Sequence, residues 1–204
     1  MKTDFRKTMD VYRARTGTFQ VVDVPPMQYL AIDGQGDPDT SQAFSDAIQT
    51  LYPVGYRLKF ASKQQLDRDY VVMPLEAQWW ADDMAAFTSR RNKAAWRWTV
   101  LMMVPDWITR QMFDAAVATV AHGHPPAALA QLRLETLTEG RCVQTLHIGP
   151  FDDEAEVLQR MHDEFIPDAG LQMTGKHHEI YLSDLRRVEP AKLRTILRQP
   201  VGSA

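Results

Sequence analysis

One order of elements is written twice along this chain, and that repetition restricts the fold more than any other feature. In the first half, residues 19–24 and 27–32 alternate apolar and polar side chains as strands do, with Pro25 and Pro26 between them. Asp39, Thr40 and Ser41 supply helix caps, and Phe44, Ala47, Ile48 and Leu51 then recur at helical spacing and predict one buried stripe. Pro53 and Gly55 are expected to break or redirect that helix. Residues 70–80 and 95–104 read as further strands, Pro74 marking an edge or a bulge in the former. The second half repeats the order: strands at 132–137 and 142–148, a helix opened by Asp152 with Val157, Leu158, Met161 and Phe165 on one face, a strand around Glu179, and an extended segment at 192–201. Gln28, Leu30 and Ile32 recur as Gln144, Leu146 and Ile148, and Glu76 recurs as Glu179. The expectation is an α+β fold, a single domain over residues 1–204. It contains two β-β-α-β-β modules, at about 18–105 and 131–201, related by a pseudo-twofold axis, with a connector helix capped by Asp106 at about 106–122.

The two glutamates are the chemically unusual members of the repeat. A strand interior desolvates a carboxylate, at a cost of several kcal/mol unless a hydrogen bond or a cation offsets it. Equivalent positions about a twofold axis face each other, so the repeat predicts that Glu76 and Glu179 approach one ligand cleft. With Leu146 and Ile148 facing their helix, strand alternation turns Val143, Thr145 and His147 to that cleft, with Met27 and Tyr29 opposite. His177 and Tyr181 share the face of Glu179; Gln78 and Trp80 share that of Glu76; Trp96 and Trp98 share a face by period two. The expected site is a pocket lined by Trp80, Trp96, Trp98, Tyr181, His147, Tyr29 and Met27 over one or two carboxylates. Aromatic faces attract a flat ring or a delocalised cation by about 0.5–2 kcal/mol per contact. A buried carboxylate pairs with such a cation or acts as a general base. The competing reading of the same residues puts the tryptophans in the core and the glutamates at a solvated edge.

Composition removes several classes. A formal charge of -3 and the absence of a basic run argue against direct nucleic-acid binding. No window approaches the roughly 18 apolar residues of a membrane span, and the first residues lack the apolar core of a signal peptide. The lone Cys142 excludes an intramolecular disulfide and suits a reducing compartment, so a cytoplasmic protein is expected. By the repeat, Cys142 faces a helix as an inert core thiol. His177 and His178 are neighbours on a strand and point to opposite faces, so they cannot easily bind one ion, and neither metal nor cofactor is expected. Arg186, Arg187, Arg194 and Arg198 read as a solvated or ion-paired basic face.

Four runs carry a family resemblance: DYVVMPLE at 69–76, CVQTLHIGPFDDE at 142–154, HHEIYLSDLRR at 177–187 and KLRTILRQPV at 192–201. Together they resemble the stand-alone branch of the GyrI-like small-molecule-binding family, with Ala77 standing where glycine is expected. The resemblance extends over nearly the whole chain. It implies two such modules forming curved antiparallel sheets around a central aromatic cleft with an acidic floor, similar to the effector domains of multidrug-sensing activators that capture lipophilic cations. No helix-turn-helix segment is expected here. The resemblance to cyclopropanoid cyclopropyl hydrolases further implies water-driven opening of an electrophilic cyclopropane, with Glu179 and Glu76 as the carboxylates and Trp80, Trp98 and Tyr181 holding a flat ring system. Its alternative is a non-catalytic module that binds or sequesters hydrophobic or cationic small molecules.

Overall fold

The computed structural model describes residues 2–82, 92–184 and 187–204; Arg186 and residues 83–91 of the polar stretch after Trp80 lie outside them. In chain order the strands are β1 (Lys2–Thr3), β2 (Gln20–Val24), β3 (Met27–Gln35), β4 (Asp69–Tyr70), β5 (Glu76–Trp80), β6 (Arg97–Val104), β7 (Arg133–Leu137), β8 (Gly140–Ile148), β9 (Leu171–Met173), β10 (His177–Tyr181) and β11 (Arg194–Ser203). The α-helices are α1 (Phe5–Thr8), α2 (Gln42–Leu66), α3 (Arg110–Ala121), α4 (Ala155–Gln159) and α5 (Ile166–Asp168), the last two joined by a π-helical turn, Arg160–Phe165. The fold is α+β. The chain divides into two compact units, Met1–Thr8 with Met27–Leu137, and Met9–Pro26 with Thr138–Ala204.

These units depart from the expected modules in one respect: each sheet takes its edge strand from the other half of the sequence. In the first unit β7 pairs with β3, β3 with β6 and β6 with β5, all antiparallel. In the second, β2 pairs with β8, β8 with β11 and β11 with β10, again antiparallel, and β9 adds to the far end of β11. Strand β2 therefore leaves the 18–105 module and β7 leaves the 131–201 module. The physical reason in the first half is Pro25-Pro26, which fixes two backbone angles in extended form and cannot make the tight turn with positive φ that a hairpin needs.

Helix α2 is the main layer over the first sheet. Ser41 caps it, its hydroxyl accepting from the Phe44 amide at 3.3 Å, and it runs for 25 residues through Pro53. The expected break does not occur. Pro53 forfeits one amide, while the buried stripe of Ala47, Leu51, Val54 and Leu58 continues on both sides of it. Gly55 is a contact point instead of a stop: a Cβ there would fall 2.6 Å from the Met102 sulfur. Residues 70–80 are split by Pro74 into β4 and β5. The helix expected from Asp106 starts later, capped by Thr109, whose hydroxyl accepts from the Met112 amide at 3.2 Å. It belongs to the first unit and packs on α2.

In the second unit the core joins Val143, Leu197 and Val201 of the sheet to Met161, Ile166 and Leu171, with Val157, Leu158 and Phe165 packed around them. The face of β8 carrying Val143, Thr145 and His147 is thus the helix-covered face, and Leu146, Ile148 and Cys142 point the other way. That reverses the expected facing. The β8 sequence could not reveal it, because Cys142 to His147 are buried without interruption and no alternation survives.

Candidate functional site

Register fixes which side chains meet, since directly paired residues of antiparallel strands share a face. In β10 and β11, Glu179 pairs with Leu197 and Tyr181 with Thr195, and Thr195 in turn pairs with His147 of β8. Glu179, Tyr181, His177, Thr195 and His147 therefore lie on the helix-covered face of the second unit. The Tyr181 hydroxyl donates to Glu179 Oε2 at 2.7 Å. His177 Nε2 stands 3.6 Å from Glu179 Oε1, and neither of its ring nitrogens makes a hydrogen bond among the described residues. His147 places Nε2 at 3.0 Å from the Pro150 carbonyl, which ties it to the loop before the helix. The Phe151 ring meets the Tyr181 ring edge-on at 5.5 Å between centroids.

A further acid stands in this cluster. Glu154 precedes α4, and the Leu158 amide donates to its carbonyl at 2.9 Å. A carboxylate at a helix start ordinarily caps the free amides of the first turn, yet the Glu154 side chain makes no such bond. It turns instead to the strands, with Thr195 and Glu179 as its neighbours there, and it is 4 % exposed with Oε1 unpaired among the described residues. Burial, reinforced by the neighbouring charge of Glu179, pushes its carboxyl up to about 10, so it is a neutral acid at neutral pH. His162 also reaches this face from the π-helical turn, with its ring 6.0 Å from that of His177. Burial, together with His177, lowers the His162 imidazole to about 4, leaving it uncharged.

Sequence reasoning missed Glu154 and His162. Glu154 sits in the run Asp152-Asp153-Glu154, which reads as helix-start acidity. The one signal available was that three acids exceed what one cap requires.

Within the first unit, Glu76 is wholly buried and pairs with Leu101. Its face also carries Gln78, Trp80, Tyr29 and Met27, as expected from alternation. The opposite face is the one under α2, because Met102 and Leu30 approach Gly55 and Phe44 packs on Trp79 and Trp98 at 5.7 and 5.0 Å between centroids. Trp96 joins that aromatic group through Trp79 at 5.8 Å. So Glu179 lies on the helix-covered face of its unit and Glu76, itself wholly buried, on the face of its own sheet opposite α2. The repeat alignment was one residue out, and a one-residue slip exchanges the faces. With the helix-covered faces matched, Ala77 stands at the position equivalent to Glu179 and Trp79 at that equivalent to Tyr181. Trp79, not Trp80, belongs with Trp96 and Trp98.

Other residues of interest resolve into structure. On the second sheet's uncovered face, Arg198 is fully buried and donates to Glu139 Oε2 at 3.0 Å, to Gln144 Oε1 at 3.1 Å and to the Val11 carbonyl. His178 completes this network, with Nδ1 at 2.9 Å from Glu139 Oε1. His177 and His178 do point apart. Arg198 accordingly leaves the expected basic surface. Burial pushes the Cys142 thiol up to about 12, consistent with an inert core cysteine, though one turned away from the helix. An open groove of about 600 Å³ on α2 and α3, lined in part by Tyr56, Phe60 and His122, contains none of these site residues.

The GyrI-like small molecule binding domain matches residues 103–201, a span that includes Glu154 and Glu179 but not Glu76. A crystal structure of a conserved protein of Listeria innocua is 36% identical, covering 98% of this chain and 100% of its own, with a TM-score of 0.89. Two further structures from the same organism, both described as hydrolases, are 36% and 34% identical, with TM-scores of 0.85 and 0.87. They cover 98% and 99% of this chain and 100% of their own. The C-terminal domain of EcmrR shares the fold at 12% identity, covering 92% of this chain and 98% of its own, with a TM-score of 0.58. No curated protein matches the sequence. No helix among the described residues is long and apolar enough to cross a membrane. The chain belongs to the GyrI-like small-molecule-binding family.

Proposed function

We propose that this protein binds hydrophobic, flat electrophiles and hydrolyses those of the cyclopropanoid type, with Glu179 as the base that activates water. The observation that carries the reading is the state of Glu179: a carboxylate on a covered sheet face, with one oxygen held by Tyr181 at 2.7 Å and the other directed toward an otherwise unbonded His177. A base must be fixed in orientation and still have a lone pair free for its water, and this geometry provides both. Two relatives more than a third identical over the full chain, or close to it, are described as hydrolases, which supports the same class. In the reaction, water gives a proton to Glu179 as its oxygen bonds the electrophilic ring carbon. The strained carbon–carbon bond breaks, and its electron pair passes into the conjugated acceptor carbonyl. The Tyr181 ring, with Phe151 edge-on against it at 5.5 Å between centroids, supplies flat apolar surface for the ring system.

Incubation with a spirocyclopropyl dienone should yield a product heavier by one water in the mass spectrum, and Glu179→Gln should slow its formation by about 100-fold or more. No such product from the wild type would defeat the proposal. Glu76→Gln is expected to change stability more than turnover, given its full burial on the face of its sheet opposite α2. A second reading, a binder without turnover, is favoured by the density of aromatic rings in the first unit. It predicts that a lipophilic cation such as a triarylphosphonium binds and that no ligand is altered.

A further inference from the structure

We propose that Glu154 is the acid partner of Glu179, delivering a proton to the acceptor oxygen as the ring opens; this role rests on the hydrolytic reading above. The helix start brings Glu154 to the covered face of the sheet, beside Thr195 and Glu179. Its side chain is 4 % exposed, and Oε1 is buried with no partner among the described residues. A buried polar atom left unbonded costs stability, and it is tolerated where a ligand completes it. Two carboxyl groups on one covered face, one of them kept neutral by burial, can divide acid from base as paired carboxylates do elsewhere.

The chemistry requires such a donor. Attack by water on the ring carbon forms one carbon–oxygen bond and breaks one carbon–carbon bond, and the released electron pair accumulates on the acceptor oxygen. Glu179 takes the proton from water, and Glu154 gives its own to that oxygen. Return of the proton from Glu179 to Glu154 resets the pair, so the net change is addition of one water and nothing is oxidised or reduced.

The test has two arms on the full-length protein. Infrared difference spectroscopy at about pH 8 should show the carbonyl stretch of a neutral carboxylic acid in the wild type that disappears in Glu154→Gln; no such band would overturn the assignment without any substrate being needed. In the kinetic arm, Glu154→Gln should lower kcat about 100-fold on a dienone whose acceptor oxygen is basic, and less on one bearing an electron-withdrawing group. The wild-type rate should also fall at alkaline pH as Glu154 ionises, with that limb missing from the variant. Wild-type turnover with an equally fast Glu154→Gln across pH would overturn the inference and leave the hydrolytic reading intact. A band present in a protein with no turnover on any dienone would overturn both.

Discussion

Tyr181 and Glu179 show how a single hydrogen bond converts an awkward strand carboxylate into an oriented one. A bond to a charged acceptor is worth about 1.5–3 kcal/mol, and the 2.7 Å contact between them lies in the short range typical of such bonds. Tyr181→Phe is therefore expected to lower kcat about tenfold on a substrate that the wild type turns over, with little change in the unfolding midpoint. An unchanged kcat would remove the hydroxyl from the chemistry. Glu179 stands out in the sequence as a carboxylate between histidine and isoleucine in a strand, although a solvated strand edge fits the same pattern. Glu154 was not legible, because acids before a helix ordinarily cap it. The tryptophans were half legible: period two grouped Trp96 with Trp98, but only the cross-strand register could choose Trp79 over Trp80.

Strands and helices were recognisable as kinds, but their partners were not. Local pattern reports which residues want burial, whereas the exchange of β2 and β7 between sheets depends on the path of the chain through residues 25 and 26 and on long-range pairing. Proline and glycine ordinarily punctuate a helix and so predict a shorter α2, but Pro53 stands on its exposed side and Gly55 makes room for the Met102 sulfur. Gly34 provides a stringent check of the first sheet. It pairs with Trp98 across β3 and β6, and a Cβ at Gly34 would fall 2.0 Å from the Trp98 ring, which is 1 % exposed. Overpacking of this kind costs about 1–3 kcal/mol. Gly34→Ala should shift the urea midpoint down accordingly and alter tryptophan fluorescence, and adding Trp98→Leu should recover part of the loss. If Gly34→Ala is neutral, the ring does not lie over the glycine.

At the scale of the whole molecule, the buried charges of the second unit impose opposite pH dependences on stability. Glu139 is held down to about 2 by His178 and Arg198 against the penalty of burial. Its folded value lies below the unfolded one, so its contribution, roughly 3 kcal/mol, is present above about pH 4.5 and is lost as pH falls toward 2. His162 adds to the acid limb, because its neutral form is favoured in the fold, and stability declines as pH falls from about 6.5 toward 4. Glu154 has the reverse sign. Its folded value lies far above 4.5, so the unfolded chain has released a proton that the folded chain retains, and stability falls as pH rises. Glu154→Gln keeps the shape and the neutral state while removing the ionisation from the unfolded chain. Urea unfolding should therefore find the variant more stable than the wild type at about pH 8 and nearly equal to it at about pH 4, the difference growing steadily in between. A constant difference would mean that Glu154 is charged in the folded protein. A growing one would show that the fold keeps a buried acid at a cost in stability, which is the signature of a group retained for chemistry instead of for packing.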